Sequence, residues 1–193
     1  MAVLAVGAAL LPAMLGGSIA YAGPTFETGT NPPTTLRQLN PGNTDLTGWK
    51  VIAVTGLANT SVDWIRNTIW QAHEGNFSVD LNGSDAGKIS KTYTGLTIGK
   101  VYLVTFWMSG NPDNGTTGVR KLKLTIANQS GTFSFPMAGV TRAAMKYQKF
   151  GLLFTATGTT QVLSFQSLSP GGPFGPVVDD IDLVAFSPPV AAK

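Results

Sequence analysis

From Trp49 onward the apolar residues of this chain recur with a period of two. Val101, Leu103, Thr105 and Trp107 alternate with Tyr102, Val104, Phe106 and Met108, which predicts a strand that is apolar on both faces. Leu122, Leu124 and Ile126 alternate with Lys121, Lys123 and Thr125, as in a half-exposed strand, and Leu163 and Phe165 alternate with Val162, Ser164 and Gln166. Similar patterns predict strands over 49–55, 60–65, 77–81, 87–93, 131–135, 148–155 and 177–186. Turn-forming clusters separate them: Asn82-Gly83, Gly110 to Gly118, Gly158-Thr159 and Pro170 to Gly175. Helical spacing is hinted at only over Thr141 to Lys146, and residues 23–48 read as irregular. Many short strands at regular spacing predict an all-β fold, an antiparallel sandwich or jelly roll.

Composition narrows the picture. The 193 residues fit one domain with flanking segments. Only 12% are charged, against roughly 25% in ordinary soluble domains, which argues against a helical bundle or coiled coil. The 43% hydrophobic content and net charge of +3 argue against disorder. Thirteen basic residues stand against ten acidic ones, and no basic run exceeds Arg120-Lys121, so no nucleic-acid partner is expected. Without cysteine there is neither a disulfide nor thiol chemistry. Met1 to Ala22 is uncharged and apolar and ends in Ala20-Tyr21-Ala22, a small-x-small pattern. It predicts a signal peptide over 1–22, a β-sandwich over 23–187, a short tail over 188–193, and a secreted, extracellular protein with no membrane contact after cleavage. A retained membrane anchor is the alternative, weakened by Pro12 and Gly16-Gly17.

Catalytic chemistry has little to work with. His73 is the single histidine, so a Ser-His-Asp triad would have to use it, and a zinc site would lack ligands. The chain therefore reads as a non-enzyme. The acidic residues that cluster are Asp179-Asp180-Ile181-Asp182, where alternation puts Asp180 and Asp182 on one face and Asp179 with Ile181 on the other. An inward-facing carboxylate is costly unless it is paired or bound to metal. Calcium takes six to eight oxygen ligands, and Glu27 is the natural partner if the first and last strands are neighbours. Solvated strand-end carboxylates are the other reading.

The stretch Trp70-Gln71-Ala72-His73-Glu74-Gly75-Asn76-Phe77-Ser78-Val79-Asp80-Leu81-Asn82-Gly83 resembles a motif of the choice-of-anchor C family. These are secreted bacterial proteins related to plant cell-wall proteins with the same domain of unknown function. Ser61-Val62-Asp63-Trp64-Ile65, Gly110-Asn111-Pro112-Asp113, Phe154-Thr155-Ala156-Thr157-Gly158 and Gly175-Pro176-Val177-Val178-Asp179-Asp180-Ile181 follow the same pattern in order. The resemblance implies a galactose-binding-like jelly roll and a non-catalytic binder of cell-wall or extracellular polysaccharide. It also implies a structural calcium, whose carboxylates map to Glu27 and Asp179. The chain departs from the pattern at Gly23-Pro24, at Trp64 where Leu is usual, and at Trp107 where a small or acidic residue is usual.

Sugar modules stack aromatic rings on pyranose faces and fix the hydroxyls with amide and acid groups. Trp107 is the first candidate for such a ring and Trp64 the second, while Trp49 and Trp70 read as core. Asn111, Asp113 and Asn114 follow Trp107 and would supply polar contacts, or simply form the turn. The expected function is a secreted carbohydrate-binding module. The alternative is a structural, adhesion or filament subunit that self-associates through apolar faces such as Leu103 and Trp107.

Overall fold

The computed structural model describes residues 5–6, 25–114 and 117–187, and only the backbone of Ala5, Val6 and Asn114. The signal-peptide and tail readings lie outside the described residues, apart from 5–6. Among the described residues twelve strands run in order: β1 (Ala5–Val6), β2 (Leu36–Leu39), β3 (Lys50–Ile52), β4 (Val62–Arg66), β5 (Phe77–Asp80), β6 (Lys88–Thr94), β7 (Val101–Gly110), β8 (Val119–Ile126), β9 (Gln129–Pro136), β10 (Gln148–Thr155), β11 (Thr160–Ser167) and β12 (Pro176–Ala185). A 3-10 turn, Pro112–Asn114, follows β7.

The strands form two sheets, one of seven strands in the order β1-β10-β7-β12-β5-β4-β2 and one of five in the order β3-β6-β11-β8-β9. Neighbouring strands are antiparallel throughout. This is the all-β antiparallel jelly-roll sandwich that the alternation predicts.

The core lies between the sheets, where β7 supplies Tyr102, Val104, Phe106 and Met108, all buried. Phe106 meets Phe133 and Phe165 edge-on from the opposite sheet, with ring centres 5.1 and 4.9 Å apart. Such pairs add about 0.5–1.5 kcal/mol beyond simple area burial.

Three local expectations are corrected. The stretch read as irregular contains β2, which pairs with β4 at the sheet edge; its single buried residue, Leu39, is too weak a signal to announce a strand. Thr141 to Lys146 is no helix: Thr141 and Ala144 exchange backbone hydrogen bonds and close a tight turn. The faces of β12 also differ from simple alternation. Asp179 pairs with Trp107 and Asp182 with Thr105, so an extra residue is inserted and Asp180 takes a φ of 47°. This β-bulge turns Asp179 away from Ile181 and onto the outer face with Asp182, where Asp180 also lies, beside His73.

Candidate ligand-binding site

The outer face of the seven-stranded sheet is not bare. The connection from β4 to β5, residues 67–76, crosses it beside the connection from β9 to β10, residues 137–147. The two loops are tied where the Gln71 N–H donates to the Arg142 carbonyl at 2.9 Å. Trp70 is buried beneath, its indole N–H donating to Ser78 Oγ on β5 at 3.0 Å. Ser109 on β7 donates to the Met145 carbonyl and holds the second loop down.

Two carboxylates from opposite ends of the chain fix the 73–77 backbone. Asp179 Oδ2 accepts from the His73 and Glu74 N–H groups at 2.8 and 3.2 Å, and Oδ1 from Asp180 N–H at 2.8 Å. Glu27 Oε2 and Oε1 accept from the Asn76 and Phe77 N–H groups at 2.9 Å each. Between them Gly75 has a φ of 61°, and a Cβ there would collide with the Glu27 carboxyl group. Thr25 anchors the start of the domain to the bulge, accepting the Ile181 N–H at 2.8 Å. The first and last segments are therefore neighbours.

Trp107, which lies on this outer face, is half-buried. The His73 imidazole stacks on it with centres 3.8 Å apart and planes 19° apart, and Lys149 Nζ lies 5.8 Å from the indole ring. Tyr147 meets His73 edge-on at 5.6 Å, and His73 Nδ1 lies 3.4 Å from Asp180. Trp107 thus braces the loop, with His73 covering one face of the ring that a sugar would stack on.

The electrostatics are acid-dense. Burial pushes the Asp179 carboxyl up to about 8 against the pull of its N–H donors, and the charge of Glu27 adds to the rise. Glu74 is raised by desolvation and by Asp180, Asp182 and Glu27. Asp182 is raised by burial and by Asp180. Burial lowers His73, Lys149 adds to the fall, and Asp180 opposes it.

The structure thus brings Glu27 and Asp179 together around one loop. Three of their four oxygens accept a single N–H and keep a lone pair free. A cation bound here, with carbonyl or water oxygens completing its set, would offset only the Glu27 charge, a smaller cause of the Asp179 rise than burial. Among the described residues no group of three or more acidic, histidine or cysteine side chains is placed to hold a metal ion.

Next to the stack an open cleft of about 500 Å³ is lined by Asn67, Trp70, Gln71, Ala72 and Arg142, among others. Asp113 grips Arg142 in a two-pronged pair, with Nε and Nη2 at 2.7 and 2.8 Å from its carboxylate oxygens. The predicted polar residue therefore works by aiming a guanidinium. Asn67 is held by Asn76, its Nδ2 donating to Asn76 Oδ1 at 3.0 Å.

The other site predictions fare differently. Trp64 is 0% exposed, on the inward face of β4, with its indole N–H donating to the Phe26 carbonyl at 3.1 Å. It is a core residue, out of reach of any ligand. Asn111 is buried as a strut: Nδ2 donates to Asp80 Oδ2 at 2.8 Å and to the Pro173 carbonyl, while Oδ1 accepts from Asp113 N–H. Asn114 closes the 3-10 turn, and its side chain lies outside the description. Sequence reasoning missed Arg142, Asn67 and Gln71, because their proximity is made by two loops that are far apart in the chain. The available signal was the Asp113-to-arginine complementarity, which has no fixed spacing.

Comparison with known proteins places this geometry in context. Residues 21–184 match the family described as protein of unknown function (DUF642). Halomucin of Haloquadratum walsbyi is 30% identical over 149 residues, which is 77% of this chain and 2% of halomucin. Among solved structures, a family 35 carbohydrate binding module from Clostridium thermocellum is similar at a TM-score of 0.48 and 17% identity, covering 76% of this chain and 97% of that one. The CBM22-1 xylan-binding domain from Paenibacillus barcinonensis Xyn10C gives a TM-score of 0.48 at 14% identity, covering 86% and 97%.

Proposed function

The chain belongs to the DUF642 family of proteins of unknown function, and we propose that it is a secreted, non-catalytic carbohydrate-binding module. Within the family we group it with the choice-of-anchor C proteins, on the motifs of residues 61–83 and 175–181. The observation that carries the reading is the cleft between the two loops. Asn67, Gln71 and the aimed guanidinium of Arg142 surround an opening beside Trp70. Amides and a guanidinium above the buried Trp70 suit a hydroxyl-bearing ligand, as a sugar is. The single histidine is committed to the Trp107 stack, which supports a binding role over a catalytic one.

Calcium at Glu27 and Asp179 would fasten the first segment and the loop to β12, acting on stability and on the cleft wall. Saturating calcium should then raise the melting temperature, with about 2.7 kcal/mol expected at a hundredfold excess over Kd. No shift with calcium or chelator would reject the metal.

Affinity electrophoresis of residues 23–193 in gels containing neutral glucan, galactan or xylan tests the glycan reading. The wild type should be retarded by at least one, and Arg142→Ala should abolish the retardation without lowering the melting temperature. Trp107→Ala should weaken retardation by freeing the loop. A folded wild type that runs unretarded in every gel would reject the reading and favour a structural subunit.

A further inference from the structure

The outer face of the five-stranded sheet carries cations and no acids. Neither β3, β6, β8, β9 nor β11 contains a single Asp or Glu. Lys50, Lys88, Lys121 and Lys123 all point outward, opposite the buried rows of Val51, Ile89, Leu122 and Leu124. Among the described residues, none of the four makes a salt bridge.

The register sets their spacing. Lys88 faces Gln166, which faces Lys123, which faces Thr132, in one row across β6, β11, β8 and β9. Two strand spacings separate Lys88 from Lys123, or about 10 Å, and Lys121 lies about 7 Å along β8 from Lys123. Lys50 sits in the adjacent row, opposite Ser90. Between and beside the lysines the surface offers hydroxyls, the Gln166 amide and two scattered exposed valines, Val119 and Val162, and among its outward residues there is no aromatic ring.

We propose that this face is a second ligand surface, for a linear acidic polysaccharide of the polyuronate type. The inference takes its class of ligand from the carbohydrate reading above and names a distinct face and chemistry. Regularly spaced ammonium groups with Ser, Thr and Gln between them complement a ribbon that carries a carboxylate on each residue and hydroxyls between. Other polyanions fit less well. Single-stranded nucleic acids are held on aromatic stacking platforms, and duplex bases are read by an element that enters a groove. This face has neither. A protein partner would want aromatic and apolar anchors at its centre, where lysine is depleted.

The test is binding of the 23–193 protein to soluble alginate at low and high salt, with Lys88→Gln/Lys123→Gln and Lys121→Gln variants. Wild type should bind at low salt and weaken steeply as salt rises. Each lysine removed should cost roughly fivefold in affinity, with melting temperatures unchanged because the side chains are solvent-facing. Arg142→Ala should bind alginate like wild type, so loss of the cleft and loss of this face read separately. Absence of alginate binding, or binding indifferent to the lysines, overturns the proposal. So does equal lysine-dependent binding of single-stranded DNA of matched charge. Salt-sensitive self-association that maps to the same lysines overturns it as well, making the partner a second copy of the chain.

Discussion

The outer faces of the two sheets are built on opposite plans. On the seven-stranded sheet, loops 67–76 and 137–147 cover the strands, bury Trp70 and hold acids beneath them. On the five-stranded sheet the strands stand bare and alternate cleanly, with Val162 54% exposed. A covered face becomes a second small core, where polar groups must be matched one by one. A bare face is mostly polar, with apolar residues such as Val162 scattered singly, and its charges stay open to solvent. The first plan makes a shaped site and the second a field.

The sharpest way to break this contrast is to truncate a large side chain on each face. Trp70→Ala should cost about 3–5 kcal/mol, as in a true core, and Val162→Ala less than about 0.5 kcal/mol. Urea unfolding midpoints at matched slope would check this. Equal costs would mean that the loops merely rest on the sheet.

A smaller effect comes from Asp63 on β4, which faces Asp80 on β5. Burial pushes the Asp63 carboxyl up to about 6 from 3.8. The folded carboxyl holds its proton more tightly than the unfolded one, so stability falls as pH rises from about 4 to about 6 and stays lower above that. Asp63→Asn should flatten this part of the profile and raise stability at pH 8 by about 1–2 kcal/mol, discounted for partial exposure. Thermal melts from pH 4 to 8 would show it. Lys123→Gln on the bare face should leave the profile unchanged.

Smaller than the Asp63 effect is that of Asp113→Asn, at no more than about 1 kcal/mol, because the pair with Arg142 is exposed. Its effect should appear instead as weakened retardation in the neutral-glycan gel. A large loss of stability would recast the pair as structural.

The two plans also explain what was legible in the sequence. Where strands are bare or face the central core, period two told the truth, as in β7, β8 and β11. The convergence of Glu27 and Asp179 was readable only on the condition that the first and last segments are neighbours, to which the resemblance added support, since 152 residues of chain, the difference of the two numbers, separate them. Trp64 misled because rarity at its position was weighed above alternation: Val62 and Trp64 share the buried face while Asp63 points the other way. The bulge at Asp180 hid which acids share a face, since one inserted residue reverses the parity. The lysine face escaped notice because three strands supply it, and no run in the sequence exceeds two basic residues.

The central claim is that the two faces take different ligands, and amide chemical-shift mapping of isotope-labelled protein tests it most directly. One titration uses a neutral oligosaccharide retained in the gels, and the other a short oligouronate. The account predicts that the neutral sugar moves Asn67, Gln71, Arg142 and the Trp70 indole N–H, and that the oligouronate moves Lys88, Lys121, Lys123 and Gln166. Shifts from both ligands on one and the same face would contradict it.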